Sequence, residues 1–336
     1  MADVGRLAGV SAQTVSRFFN DGYVSADARA RIRAAVGQLG YVPNRLPVQL
    51  RRASTDVIGV VLFGPLNYGN ARIMTGLYRA ARELGRTVMT THMEADPASS
   101  SALWNTTLKE VESFVASRVD GLVVASPYAS VRRVLEAVPP AVPVVTLAEL
   151  EDDGRDAVGS YSYTAARAVV EHLLEEGARR VLHVGGPGDR AQSCTRRLAC
   201  EDVLREAGLS PVGVLECPEW TVQDAARLAE GVEPGSFDAV FAANDDLALG
   251  FMSVMRERGL VAPEDYLIAG YDGMPQSGFF APPLTTAYVD FERIGETALR
   301  RVVAQAAGEP VEGSRWSVPT QVLVRESTTR VGRGRA

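Results

Sequence analysis

DVGRLAGVSAQTVSRFFN, residues 3–20, spells two short helices separated by a tight turn. Val4, Leu7 and Ala8 share one face of the first helix, Gly9 lets the chain turn, and Ser11 is placed to cap the second. At 100° per residue, Val15, Phe18 and Phe19 point inward from the second helix. Ala12, Gln13, Ser16, Arg17 and Asn20 form its opposite, polar face. An apolar back with a Gln/Arg front suits a helix lying in the major groove of DNA, where Gln matches adenine and Arg matches guanine. Ala12 offers only a methyl, which can meet that of thymine. Ser11, Thr14, Ser16 and Asn20 suit phosphates, which position a protein without specifying sequence.

Working outward, Asp21-Gly22 reads as a turn, and Ser25 caps a third helix with Asp27 in its first turn. Ile32, Val36 and Leu39 supply its apolar stripe, and Gly40 ends it with Pro43 just beyond. A small core is expected from Leu7, Val15, Phe18, Ile32, Val36 and Leu39. Such a domain of ~45 residues is marginal alone and leans on a partner. Charge points the same way. Residues 1–52 hold eight arginines against three aspartates, a net of +5, while the whole chain carries −6, so the remainder carries −11. A basic head on an acidic body is the asymmetry expected when one end meets phosphates.

DVGRLAGVSAQTVSRFFN, followed by VSADARARI and LGYVPN, closely resembles the opening of the LacI/GalR family of bacterial transcription regulators. The resemblance implies that residues 44–54, NRLPVQLRRAS, form a hinge that becomes a short helix when paired on DNA. Leu50 falls where the family wedges a leucine into the minor groove, and Arg51 and Arg52 follow for phosphates. Such a wedge unstacks a base step at a cost of roughly a few kcal/mol. Pro47-Val48 replaces the family's usual Ala-Arg. Pro47 still suits the first turn of a helix capped by Asn44, where N–H groups lack intrahelical partners. Only Met1 and Ala2 precede the first helix, fewer than the family usually shows, so the natural start is expected upstream.

From Asp56 the texture changes. VIGVVLF, GLVVAS, VPVVTL, RVLHVGG, DAVFAAN and YLIAGYD read as buried parallel strands. Amphipathic helical stretches lie between them, among others at 70–85, 164–176, 195–207, 245–258 and 290–307. This alternation implies doubly wound α/β sheets. The resemblance makes them two lobes of periplasmic-binding-protein type with ligand between, and chain crossovers near residues 157, 287 and 317. The expected organisation is a helix-turn-helix head over 1–43, a hinge over 44–54, a two-lobed effector-binding and dimerisation body over 55–330, and a tail over 331–336. Gly185-Gly186-Pro187-Gly188 lacks the GKS/T ending of a phosphate loop and is followed by Asp189, so it reads as a strand-end turn.

In open α/β lobes ligands sit at the carboxyl ends of strands. Asn67 and Tyr68 after the first strand, Asn244 after DAVFAA and Asp272 ending YLIAGYD are candidates there. The resemblance adds Arg196, where the family holds its effector with an arginine, and Trp220 and Phe291, which match cleft-lining positions of sugar-binding relatives. Arg, Asn and Asp pair with vicinal hydroxyls, and an aromatic face covers the apolar side of a pyranose. Plainer readings exist: Asn244-Asp245 as a helix cap, Trp220 as a lobe-surface or core aromatic, Phe291 as a core aromatic, and Arg196 and Asp272 in structural salt bridges. The chain also departs from the family. Tyr161-Ser162 stands where Asp-Asn is common, Ala148-Glu149 where an Asp follows the strand, Ala199 for a glycine, and GPLNYGNAR for an acidic residue followed by Asn-Pro-Phe. These departures point to an unusual saccharide or a less polar ligand.

The reading is a sequence-specific repressor. It binds a pseudo-palindromic operator in double-stranded DNA as a homodimer and is switched by a sugar-like effector between its lobes. No cofactor or metal is expected: the three cysteines show no CxxC spacing and the three histidines are scattered. No Ser/His/Asp constellation or paired carboxylates suggest an enzyme. A secretory signal and a run of ~18 apolar residues are both absent, which makes a cytoplasmic protein without membrane contact the expectation. A transporter's solute-binding protein is the rival from another class, opposed by the missing signal and the basic head.

Overall fold

A computed structural model describes residues 1–20, 22–42, 54–147, 156–311, 313 and 315–330. The chain divides into two compact units, Met1–Thr55 and Asp56–Ala336.

The first unit holds three helices, α1 (Ala2–Ala8), α2 (Ala12–Phe19) and α3 (Ala26–Leu39). Gly9 ends α1 at φ 65°, a left-handed conformation that glycine adopts without steric cost. The Ser11 hydroxyl accepts from the Thr14 N–H at 3.1 Å, and the Ser25 hydroxyl accepts from that of Ala28 at 3.4 Å, which fixes the starts of α2 and α3. Val4, Ala8, Val15, Val24, Ala28, Ile32 and Ala35 form the core, with Phe18, Phe19, Val36 and Tyr41 packed against it. Two expected core members are not in it: Leu7 and Leu39 are 47% and 46% exposed. The reason is angular. The buried stripe of α1 runs through Val4, Gly5 and Ala8, so Leu7 stands beside it, and α3 turns Ala28, Ile32 and Ala35 inward instead of Leu39.

The second unit is two α/β lobes. The first carries β1 (Val57–Phe63), β2 (Thr87–Met93), β3 (Gly121–Ala125), β4 (Val144–Leu147), β5 (Asp156–Ser160) and β11 (Arg315–Val318) in the order β11-β5-β4-β3-β1-β2. Its helices are α4 (Tyr68–Glu83), α5 (Ser101–Ala116), α6 (Val131–Glu136) and α11 (Phe291–Ala306). Strand periodicity builds both faces: Ile58, Val60 and Leu62 of β1 pack with Ile73 and Leu77 of α4, while Val61 and Phe63 pack with Val111 and Phe114 of α5. The second lobe orders β12-β10-β9-β8-β6-β7, from β6 (Val181–Gly185), β7 (Gly213–Glu216), β8 (Ala239–Ala242), β9 (Leu267–Asp272), β10 (Thr285–Val289) and β12 (Thr320–Leu323). Helices α7 (Ser162–Glu175), α8 (Ala191–Glu206), α9 (Val222–Ala229) and α10 (Asp245–Glu257) cover it.

Among the described residues every strand pairing is parallel except β10 with β12, which is antiparallel and closes the second sheet. The chain crosses between lobes after Ser160, after Val289 and between Val318 and Thr320, a few residues beyond the expected crossovers. Two glycines allow α4 and α11 to touch backbone to backbone: a Cβ on Gly76 would lie 2.0 Å from the Glu292 carbonyl oxygen, and one on Gly295 2.0 Å from that of Ile73. Among the described residues no helix is long and apolar enough to cross a membrane.

Candidate DNA-reading face and interlobe cleft

In the first unit the polar face of α2 is set by its own caps. Ser11 and Thr14 bond each other through their hydroxyls at 2.9 Å, and the Asn20 side-chain amide donates to the Ser16 carbonyl at 2.7 Å. These groups are partly committed to holding the helix ends. Ala12, Gln13 and Arg17 are exposed, and Gln13 and Arg17 have no side-chain partner among the described residues. Behind them Phe18 and Phe19 meet edge to face at 5.1 Å, and Arg29 lies over the Phe18 ring at 5.4 Å. The face therefore presents two long polar side chains on an anchored helix. Leu50 and Arg51 lie outside the described residues, as do Asp21, Pro47-Val48, Ala148-Glu149 and the tail.

In the second unit a cleft opens between the lobes, lined by both and enclosing about 120 Å³. Its size suits a small molecule, below the ~300 Å³ at which typical ligand pockets begin. Asn67, Arg196, Trp220, Asn244, Asp272 and Phe291 all line it. Tyr68 does not; its ring packs edge-on against Phe291 at 6.0 Å and supports that wall.

Arg196 is the centre of the second lobe's wall. It is 6% exposed, its Nη1 donates to the Ala243 carbonyl at 2.5 Å, and the same atom lies 3.4 Å from Asp272 Oδ1. Its guanidinium stacks over the Tyr271 ring at 3.7 Å and stands 5.6 Å from Trp220. Asp272 ends β9 with φ 101°, a conformation that costs a non-glycine residue energy and that clusters at functional sites. Burial pushes its carboxyl up to about 6, against the lowering pull of Arg196. Behind it, Asp245 is fully buried and pushed up by burial to about 8, although Thr286 Oγ1 donates to it at 2.6 Å and the Met274 N–H at 2.7 Å.

Asn67 and Asn244 both cap helices, their Oδ1 atoms accepting from the Asn70 and Leu247 N–H groups at 3.0 and 2.7 Å. The plainer reading of Asn244 as a cap and the reading as a lining residue hold together. Trp220 lies across Gly186, where a Cβ would stand 2.5 Å from the ring. The Gly185–Gly188 segment is the turn between β6 and α8, and its glycine admits the indole.

Sequence reasoning missed Asn70, Ser126, Ser160, Arg190 and Gln192 in the lining, and singled out Ser162 only as a departure from the family pattern. Their signal was positional: they follow β1, β3 and β5 or open α7 and α8, at the carboxyl ends of strands. Among the described residues no group of His, Cys, Asp and Glu could hold a metal ion.

A small helix-turn-helix unit joined to a two-lobed body with a lined cleft defines a class, the ligand-responsive DNA-binding regulators. Residues 1–44 match the model of bacterial regulatory proteins of the lacI family, and residues 170–328 match the periplasmic binding protein-like domain. The lactose operon repressor of Escherichia coli (strain K12) is 29% identical over 97% of this chain and 89% of its own length. The ribose operon repressor of the same strain is 27% identical over 97% and 99%. The crystal structure of the Lac repressor dimer bound to operator and the anti-inducer ONPF superposes with a TM-score of 0.85, at 28% identity over 98% of both chains. The chain belongs to the LacI/GalR family of bacterial transcription regulators.

Proposed function

We propose that this protein is a dimeric repressor that reads a pseudo-palindromic operator through α2 and is switched by a small polar effector held between its lobes. The observation that carries the reading is the cleft itself. Both lobes line it, and a buried Arg196–Asp272 pair on a strained backbone faces it, in a chain whose other unit presents Gln13 and Arg17 on an exposed helix. Relatives of like length are operon repressors, and one is bound to operator as a dimer.

In this mechanism Gln13 and Arg17 read base edges, each contributing roughly 1–3 kcal/mol of discrimination. Ser11, Thr14, Ser16 and Asn20 position the head on phosphates, Ala12 meets a thymine methyl, and Leu50 and Arg51 keep the hinge roles that the family gives them. The head, hinge, body and tail divide at residues 43, 54 and 330. The effector acts by its differential affinity for the lobe arrangements that bind and release DNA. The protein is not an enzyme and works in the cytoplasm.

The test is binding of the full chain to DNA from its own upstream region, titrated with salt. Saturable binding to one palindrome, falling steeply with salt, is expected. Gln13→Ala and Arg17→Ala should relax base preference at separate positions, and deletion of residues 1–54 should abolish DNA binding while ligand binding persists. Ligand binding with no sequence preference at any salt would sink the regulator in favour of a solute-binding protein.

A further inference from the structure

We infer that the ligand of the interlobe cleft is an acidic sugar or sugar-like molecule, a polyol carrying one carboxylate or phosphate, whose oxyanion is received by Arg190. The inference rests on the reading of the cleft as the effector site and adds the chemical class of the effector.

Arg190 lines the cleft and is only 6% exposed. Its guanidinium lies over the Tyr128 ring of the opposite lobe at 4.4 Å, and the next residue's N–H donates to the Pro127 carbonyl at 3.0 Å, which fixes the side chain at the junction. Nη1 reaches Asp189 at 2.5 Å and Nη2 lies 3.6 Å from Glu219, but both carboxylates stand at least half in solvent. The buried Nε–H has no acceptor. Arg196 is in the same condition: Nη1 is used, and the buried Nε–H has no acceptor. Both Nε–H groups are closed off from solvent, so the capacity for an incoming acceptor lies on Arg190 Nη2, whose neighbour Glu219 stands beyond hydrogen-bond distance at 3.6 Å.

The backbone agrees. Helices α4 and α10 reach the cleft with asparagine caps, whereas α8 begins at Arg190 and α7 at Tyr161 with no side-chain cap. A long helix that opens uncapped beside a buried arginine is an anion-receiving end. Asp272 is the one carboxylate among the described lining residues, against two guanidiniums.

Arg190 and Arg196 stand six residues apart, about 9 Å along a helix axis. They therefore serve opposite ends of a ligand. The Arg196–Asp272 pair offers a donor and an acceptor together, the pattern for hydroxyls, with Trp220 beside it as an apolar face. Arg190, Gln192 and the start of α8 receive the acid.

The experiment is calorimetric titration of the full-length protein with matched six-carbon pairs: glucuronate and glucose, galacturonate and galactose, gluconate and glucitol, glucose 6-phosphate and glucose. At least one acid should bind, and bind at least about tenfold more tightly than its neutral partner, equivalent to ~1.4 kcal/mol. Arg190→Gln should erase that preference by bringing the acid's affinity down to that of its neutral partner in the same variant, and Arg190→Lys should retain part of it. Melting curves of both unliganded variants separate misfolding from lost recognition. Neutral members that bind as tightly as acids, a preference that survives in Arg190→Gln, or no acid binding below about 10 mM would each overturn the inference. A molecule that fills the cleft and leaves DNA affinity unmoved would instead sink the effector reading.

Discussion

The two walls of the cleft are chemically unequal. The first lobe brings Asn67, Asn70, Ser126, Ser160, Ile73 and Phe291, with no charge among its described lining residues. The second brings Arg190, Arg196 and Asp272, with Asn244 and Trp220 beside them. A ligand that meets such a pair of walls is anchored by the charged lobe, because charge-assisted bonds are the stronger ones. The neutral lobe contributes shape and a few hydroxyl contacts. The wall that discriminates by charge and the wall that fits by shape thus belong to different lobes of one body. That separation allows a weak, adaptable contact to report on a strong one.

The largest effect should follow from breaking the charged wall. Arg196→Met leaves Asp272 buried without its cation, an arrangement whose cost is typically 3–5 kcal/mol. Ligand affinity measured by calorimetry should fall by more than about 100-fold, or ~2.7 kcal/mol. A loss no greater than that of a first-lobe variant such as Ser126→Ala would erase the distinction between the walls.

Next comes the aromatic cover. Gly186→Val cannot coexist with the indole of Trp220 where it now lies, so affinity should drop by about tenfold with Trp220 displaced. The corresponding first-lobe change, Gly69→Ala, meets Phe291 at 3.1 Å, where a small shift suffices. It should cost clearly less in the same titration.

The smallest effect is one of pH. Burial raises Asp272 to about 6 and Asp245 to about 8, above the roughly 4 of an aspartate in an unfolded chain. Carboxyls raised in this way favour the folded state fully below pH ~4, and that contribution is lost as pH rises through their folded values. Between pH 6 and 8.5 the body's Tm should therefore fall. Asp245→Asn should flatten this upper leg. A Tm that rises over the same range in the wild type would show that the second lobe's acids are not held protonated.

Legibility in the sequence followed exposure and periodicity. VIGVVLF and YLIAGYD were readable as strands because parallel strands are apolar on both faces. By contrast TVMTTHM of β2, an edge strand with exposed Thr87, Met89 and Thr90, carries no such signal. The head's helices were visible through Ser11, Ser25, Gly9 and Gly40, whose side chains or backbone freedom act within one turn. Its core was less so, since Leu7 and Val4 compete for one face and only packing against α3 decides. In the cleft, Asn67, Arg196 and Asp272 stood out by residue type at strand ends or by family pattern. Arg190 did not, because its meaning depends on Tyr128 of the other lobe, 62 residues away. Asp245 sits in the first turn of α10, and only its complete burial makes it unusual.

One measurement tests the central claim most directly: operator affinity of the full-length protein and of Arg196→Met, each with and without a saturating cleft ligand. The account predicts that ligand shifts the wild-type affinity by at least about tenfold and leaves the variant's unchanged, while both proteins bind the same operator without ligand. Equal shifts in the two proteins, or none in either, would contradict the proposal that this cleft governs the DNA-reading head.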